Sequence, residues 1–307
     1  MTVVLSEQVR VAIPMRGGTY SAVLVILHAG GLTGVGEAPL LPGRPEVAAL
    51  RAAQETAELD LSARAAGVPV AELLGGARRP GVRCAALVAA VRPSEVAAEV
   101  EGLVAEGFTA VKLKAANAGG PVDQERLGAA RWAAGRDVEL RLDFNGRLSV
   151  RGALAALPGL KVFAPITFEQ PLPPDARPSA WAALGDPLAL AADESLAAGL
   201  AAARVGLAVK LATVGGPRAA VALANLSPGR AWVGSSYETS IGLAAALHAA
   251  CAFEREPPAC GLATSRLLEA DLGSGLMPAA GFLALRAGPG LGVGLDRAAL
   301  ERYRVDS

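Results

Sequence analysis

Lysine is scarce in this chain. Only four of its 29 basic residues are lysine (Lys112, Lys114, Lys161 and Lys210), and the rest are arginine. Arginine stays protonated in proteins, whereas lysine can give up its proton. Arginine serves wherever a plain positive charge suffices, so the few lysines on strand-like segments stand out as candidates for acid–base chemistry. Histidine is scarcer still. His28 and His248 are too few for a histidine-rich metal site, and chemistry built on imidazole is disfavoured. The three cysteines, Cys84, Cys251 and Cys260, form no C-x-x-C and are odd in number. They read as buried thiols of a reducing cytosol and not as a disulfide framework.

Aromatic residues make up 4% of the chain against 52% hydrophobic residues, so the core must be aliphatic and rich in alanine. Mean hydropathy is +0.38. Even so, no apolar run reaches the roughly 18–20 residues that span a bilayer without Arg, Glu, Pro or Gly interrupting it. Residues 1–10 lack a basic stretch followed by an apolar one, so no signal peptide is expected and the expected location is the cytoplasm. Net charge is zero and no basic cluster stands out, so no nucleic-acid partner is expected. The oligomeric state stays open, with a monomer plausible.

At 307 residues the chain has the length of one (β/α) barrel or of two ordinary domains. Residues 3–13, 20–28 and 32–37 read as an antiparallel meander of strands. The segment 14–19, with Gly17-Gly18, reads as a mobile loop. Helical patterns follow at 45–59, 61–66 and 69–74, the last closed by Gly75-Gly76. Residues 1–80 thus predict an α+β capping domain. Beyond Pro80 the character changes, and apolar strand-like runs alternate with alanine-rich helical ones. Strands are predicted at 82–91, 110–114, 138–144, 166–169, 188–193, 208–211, 231–234 and 259–262. Helices are predicted between them, including 93–106, 122–134, 150–156, 218–226 and 241–251. Eight such units predict an α/β fold with a modified parallel (β/α) barrel over 81–272. Residues 273–307 are predicted to return to the capping domain.

Barrel chemistry sits at the C-terminal ends of the strands. Lys112 and Lys114 alternate onto one face of the second strand. Their mutual repulsion is expected to lower at least one pKa below the usual value of about 10.4. Arg141, Asp143 and Asn145 share a face of the third strand. The fourth offers Glu169, the fifth Asp193 and Glu194, and the sixth Lys210. Asp143, Glu169 and Asp193 follow one another at about one βα unit each, so three carboxylates converge at the barrel mouth. Oxygen-only donors without Cys or His indicate a hard divalent cation, Mg²⁺ with Mn²⁺ as the alternative. Taken singly, Asp143 and Asp193 read equally well as helix caps and Lys210 as a surface lysine. The ordered set is the specific signal.

That set resembles the enolase superfamily, and within it the muconate-lactonising subgroup. The resemblance covers essentially the whole chain, with Gly36-Glu37-Ala38 and Leu73-Leu74-Gly75-Gly76 standing where the capping-domain signatures of the family occur. It implies that Asp143, Glu169 and Asp193 are metal ligands, Lys114 the acid/base and Lys210 the lysine on the opposite face. It also implies proton abstraction next to a substrate carboxylate. His248 lies in an alanine-rich helical stretch, which disfavours the mandelate-racemase branch. The run Gly261-Leu-Ala-Thr-Ser265 lacks the acid expected of dipeptide epimerases.

Within the subgroup, the runs 141–145 and 234–240 and the short cap most resemble those of a dehydratase, and that resemblance implies aromatisation of a small cyclohexadiene carboxylate on the way to menaquinone. An N-acylamino acid racemase or a cycloisomerase is the alternative in the same fold, and a non-catalytic binding barrel the alternative of a different class. On the dehydratase reading Lys112 lowers the pKa of Lys114, and Arg141 and Asn145 orient the carboxylates or Lys114. Gly234, Ser235 and Ser236 receive a substrate carboxylate, and Arg16 closes over the substrate with the loop 14–19.

Overall fold

The computed structural model describes residues 5–41, 46–115, 124–164, 166–197 and 204–305. The expected element starts at 3, 45 and 122 and the chain end at 307 lie outside the described residues. The chain opens with an antiparallel sheet of β1 (Leu5–Met15), β2 (Gly18–Ala29) and β3 (Leu32–Pro39), in that spatial order. One helix, α1 (Glu46–Ala66), packs across it, followed by the short α2 (Val70–Leu73). The two helices expected at 45–59 and 61–66 are therefore one. Asp60, which would interrupt an apolar face, is buried and bonded: its carboxylate accepts from the backbone N–H of Val35 and Leu291 at 3.1 and 2.8 Å and from Arg64 Nε at 3.0 Å. The alanine-rich composition acts here, because Ala49, Ala53 and Ala57 form the buried face of α1. A Cβ on Gly36 would lie 1.9 Å from the Ala53 carbonyl oxygen, so only glycine lets strand and helix meet this closely.

The expected mobile loop at 14–19 is instead a tight hairpin. Pairing runs through Pro14↔Thr19 and Met15↔Gly18, which leaves Arg16-Gly17 as a two-residue turn. The turn is tied to the barrel: Arg16 N–H donates to the Leu267 carbonyl at 2.8 Å, and Glu269 N–H donates to the Pro14 carbonyl at 2.9 Å.

The second layer is a seven-stranded parallel sheet in the order β11-β10-β9-β8-β7-β6-β5. Its units are β5 (Ala85–Leu87) with α3 (Pro93–Ala105), β6 (Ala110–Lys114) with α4 (Gln124–Ala134), β7 (Glu139–Asp143) with α5 (Val150–Leu160), and β8 (Ile166–Glu169) with α6 (Pro178–Ala183). β9 (Leu190–Ala192), β10 (Gly206–Val209) with α7 (Leu211–Val214) and α8 (Pro217–Leu226), and β11 (Ala231–Val233) with α9 (Ser240–Ala252) complete the set. The run 82–91, expected as one strand, is split. β4 (Gly81–Arg83) leaves the barrel to pair antiparallel with β12 (Phe282–Ala284), and β5 alone joins the parallel sheet. The expected eighth strand at 259–262 is reduced to single bridges, Cys84↔Cys260 and Gly234↔Gly261, which join the two edges of the curled sheet. Pro187 starts a 3₁₀ turn at Pro187–Ala189, so the strand expected at 188–193 begins only at Leu190. The segment after residue 272 runs back over the N-terminal sheet. α10 (Arg297–Tyr303) ends it, and Val305 N–H donates to the Arg10 carbonyl at 3.0 Å.

Helix α9 is the pillar between the two layers. All thirteen of its residues are buried, as its apolar composition on every face demands. The three cysteines are free and buried, and among the described residues no helix is long and apolar enough to cross a membrane.

His248 on α9 joins three parts of the chain. Its Nδ1 accepts the Ala71 N–H of α2 at 3.1 Å, and the ring bonds the Leu291 backbone. Burial lowers its pKa to about 4 against the opposing pull of that Leu291 bond. The folded chain therefore holds it neutral while the unfolded chain takes up a proton near pH 6.5. The stability tied to His248 is complete above about pH 6.5 and is lost as pH falls toward 4, on the order of 3 kcal/mol in all. Denaturant unfolding across that interval should show a shallower pH dependence for His248→Gln than for the wild type. Equal slopes would remove His248 as the cause.

Candidate active site

Strand register brings the site together. Between β6 and β7, Lys112 pairs with Arg141 and Lys114 with Asp143. Between β7 and β8, Arg141 pairs with Thr167 and Asp143 with Glu169. Paired residues on parallel strands point to the same face, so Lys114, Asp143 and Glu169 form one row inside the barrel, with Lys112 and Arg141 in the row below. Asp193 follows β9 directly, and Lys210 follows β10. Asp143, Glu169 and Asp193 are at most 1% exposed.

Three lysines hold these carboxylates. Lys112 Nζ donates to Glu169 Oε1 at 2.6 Å and lies 2.9 Å from Asp143 Oδ2. Lys114 Nζ donates to Asp143 Oδ2 at 2.7 Å and to Asn145 Oδ1 at 2.8 Å. Lys210 pairs with Asp193 from the far side. The lowering expected of at least one lysine of the pair does not fall on Lys112. Burial alone pushes Lys112 down, but Asp143, Glu169 and Asp193 together carry it well above the ordinary lysine value. Burial likewise opposes the ammonium of Lys210, and Asp193, Glu169 and Asp143 together outweigh it. Asp143, which burial would raise, is held far below the usual carboxylate range by Lys112 and Lys114.

The strands end in strained backbone. Asn145, Gln170 and Tyr237, which follow β7, β8 and β11, have φ of 46°, 40° and 72°. Such conformations cost about 1 kcal/mol or more and persist where the surroundings over-determine them. Gln170 shows how: its Oε1 accepts the N–H groups of Asp193 and Ser195 at 2.8 and 3.1 Å, and its amide donates to Ser195 Oγ at 2.7 Å. Gln170 thereby fixes the backbone that carries Asp193, which makes no cap bond of its own.

One cavity is lined by Lys112, Lys114, Arg141, Asn145, Glu169, Lys210, Gly234, Ser235 and Ser236. Asp143 and Asp193 stand behind its wall, tied to the lysines that line it. Arg16 is not there. It lies on the hairpin turn and pairs with Glu99 at 3.3 Å, while the second oxygen of Glu99 accepts the N–H groups of Ala89 and Ala90. The turn, pinned to Leu267 and Glu269, keeps Arg16 on Glu99 and out of the cavity lining. Arg141 is deeper than expected of a group that orients a ligand. It stacks 4.4 Å over the Trp232 ring and donates to Glu139 at 3.0 Å, at the base of the cavity.

Sequence reasoning missed the role of Leu41, Trp232 and Thr264 in the lining, and it read Glu37 only as part of a capping-domain signature, without its role. Glu37 is buried at the end of β3 against the N-terminus of α9, and burial pushes its carboxyl up to about 7 against the hydrogen bonds that it accepts. A charged residue in an otherwise apolar, buried strand was the available signal.

A divalent cation suits the carboxylates. Asp193 Oδ1 is buried without a hydrogen-bond partner, and burial pushes Glu169 up, with Asp143 and Asp193 adding to it against Lys112. Both mark missing positive charge. Among the described residues, no three acidic, histidine or cysteine side chains close on one point by themselves, because lysine ammonium groups occupy the space between them.

A parallel β/α barrel with carboxylates and lysines gathered at its strand ends is an enzyme scaffold for chemistry beside an anionic substrate. The comparisons agree. The family described as enolase C-terminal domain-like matches residues 95–299, and the chain belongs to it as an enzyme of the enolase superfamily. An o-succinylbenzoate synthase of Thermobifida fusca is 36% identical over 220 residues, which cover 66% of this chain and 65% of that protein. A D-galactonate dehydratase of Pectobacterium atrosepticum is 32% identical over 138 residues, 42% of this chain and 36% of that protein. The matched stretches thus span from about a third to just under two thirds of these relatives. A muconate lactonizing enzyme from Pseudomonas putida shares the fold at a TM-score of 0.90, with 23% identity over 99% of this chain and 100% of that one.

Replacing Arg141 with Met removes the stacking on Trp232 and strips Glu139 of its closest cation. About 2–3 kcal/mol of stability should be lost. Denaturant unfolding checks this, and an unchanged midpoint would refute it.

Proposed function

We propose that this enzyme dehydrates 2-succinyl-6-hydroxy-2,4-cyclohexadiene-1-carboxylate to 2-succinylbenzoate, the reaction of an o-succinylbenzoate synthase. The observation that carries the reading is the cavity that brings together Lys114 on β6 and Lys210 after β10, with the carboxylate row between them. The 36% identity to the Thermobifida fusca protein supports the choice of substrate. Asp143, Glu169 and Asp193 would hold Mg²⁺. When bound, the ion supplies positive charge that favours the enediolate form of the substrate carboxylate and disfavours the ammonium forms of the lysines beside it.

Lys114, as the free amine, takes the proton from the carbon next to the ring carboxylate. The electron pair left behind enters the enediolate. As that pair returns to the ring, the C–O bond to the neighbouring hydroxyl breaks, and Lys114 gives its proton to the departing oxygen as water leaves. The ring becomes aromatic, with no oxidant required. Asn145 holds Lys114 Nζ at 2.8 Å and sets its direction. Lys210 places positive charge on the opposite face of the developing enediolate. The Ser236 hydroxyl, buried and without a partner among the described residues, would receive the carboxylate of the succinyl chain, whereas the N–H groups of 234–236 already donate to Val209, Gly261 and Glu238. A small-molecule carboxylate is thus the partner, and the reaction places the protein in menaquinone biosynthesis and in the cytoplasm.

Purified protein with Mg²⁺ and the cyclohexadiene substrate should show aromatisation by ultraviolet absorbance. Lys114→Ala should lose roughly a thousandfold in rate and still bind Mg²⁺ by calorimetry. Folded wild type that leaves this substrate untouched and racemises N-succinyl amino acids would replace the assignment with that of a racemase, for which both lysines are equally suited.

A further inference from the structure

The cavity wall at 234–237 is held from outside the barrel. Glu37 Oε1 accepts from the Tyr20 hydroxyl at 2.7 Å and from the Thr239 N–H at 3.0 Å. Its Oε2 accepts from the Thr239 hydroxyl and the Gly242 N–H, both at 2.8 Å. One carboxylate from the N-terminal sheet therefore satisfies free N–H groups in the first turn of α9, where the helix dipole also favours negative charge. The fit depends on residue 242 being glycine. A Cβ there would lie 3.0 Å from Glu37 Oε2 and 2.6 Å from Glu238 Cβ.

Glu238 faces the other way. Its Oε2 accepts from the Ser235 hydroxyl and the Ser236 N–H, both at 2.5 Å, and Ser235 Oγ lies 2.6 Å from Thr264 Oγ1. Between the two glutamates the chain passes through Tyr237 at φ 72°. This left-handed turn of a bulky residue aims Ser236 at the cavity, and it persists only if both of its ends are fixed. Glu238 fixes the barrel end and Glu37 the helix end.

We propose that Glu37 is a positioning residue for substrate binding. By clamping the first turn of α9 to the N-terminal sheet, it holds 234–237 in the conformation that presents the Ser236 hydroxyl to the carboxylate of the substrate. This rests on the substrate-binding role assigned above to Ser236. Glu37 touches neither the lysines nor the carboxylate row, so the clamp acts on binding and leaves proton transfer alone.

The test is a double-mutant cycle. Glu37→Gln keeps the side-chain shape and sets an amide against the N–H donors. It should raise KM about tenfold with kcat within about threefold, the signature of lost uniform binding. Combined with Ser236→Ala, it should add no more than about twofold, because the group it positions is gone. A full tenfold effect in that background, or an unchanged KM in folded Glu37→Gln, overturns the proposal. If Glu37→Gln fails to fold, Thr239→Ala removes one donor to the same carboxylate and enters the same cycle. Amide hydrogen exchange separates this proposal from the choice of substrate. Exchange across 234–239 should quicken about tenfold in Glu37→Gln while that of β6 stays unchanged. Unchanged exchange at 234–239 overturns the clamp even if the cyclohexadiene reaction is confirmed. Quickened exchange supports it even if another substrate is found.

Discussion

Three carboxylates buried in one layer of the barrel need positive charge, and the site is built around that need. Taking each ion out of water costs several kcal/mol, and neighbouring like charges add repulsion that a dry interior screens poorly. Asp143, Glu169 and Asp193 are at most 1% exposed, so none can lean on solvent. Lys112, Lys114 and Lys210 supply three charges against three. The same lysines line the cavity, and on the proposed reading one of them, Lys114, moves the proton while Lys210 supplies positive charge. Arginine would neutralise as well but could never act as a base. This chain is otherwise almost purely arginine in its cations, and it keeps three of its four lysines for this one layer.

A divalent cation changes the arithmetic. The orphaned Asp193 Oδ1 and the upward push on Glu169 show that three ammonium groups at lysine distances do not satisfy three carboxylates fully. On the proposed mechanism, an ion among the carboxylates takes over their neutralisation and leaves the lysines to the substrate. The frame for this is stiff. Strand pairing sets the rows, Gln170 ties Asp193 from below, and Asn145, Gln170 and Tyr237 hold left-handed turns at three strand ends.

Much of this was legible in the sequence because it follows from period-two alternation and from spacing. The lysine pair on β6, the carboxylates of β7 to β9 and Lys210 need nothing beyond strands that point alternate residues inward. What was not legible depends on long-range pairing. The run 82–91 is apolar apart from Arg83, and nothing local says that Gly81–Arg83 pairs with β12 some two hundred residues on while Ala85–Leu87 joins the barrel. Gly17-Gly18 suits a flexible loop and a tight hairpin equally. The choice is made by the register of β1 on β2 and by the bonds to Leu267 and Glu269. Likewise, a lysine beside a lysine suggests a lowered pKa for one of them, and only the acids on the neighbouring strands show that Lys112 goes up instead.

The layer of lysines and carboxylates fits proton removal beside a carboxylate, whatever else the substrate carries. The choice among substrates must therefore lie in the parts of the cavity wall that belong to no such row: the turn 234–237, Thr264, and Leu41 arriving from the N-terminal sheet. Two of these elements meet through a single buried carboxylate, Glu37, which stands on the N-terminal sheet and bonds the helix that follows the turn. The sheet is thus more than a cover for apolar strand ends. On the proposed reading it supplies one anchor of the wall that meets the far end of the substrate, while the barrel rows supply the chemistry at the near end. Relatives bearing three different names share this fold or parts of its sequence, as expected if the wall can be rebuilt while the charged layer beneath it stays in place.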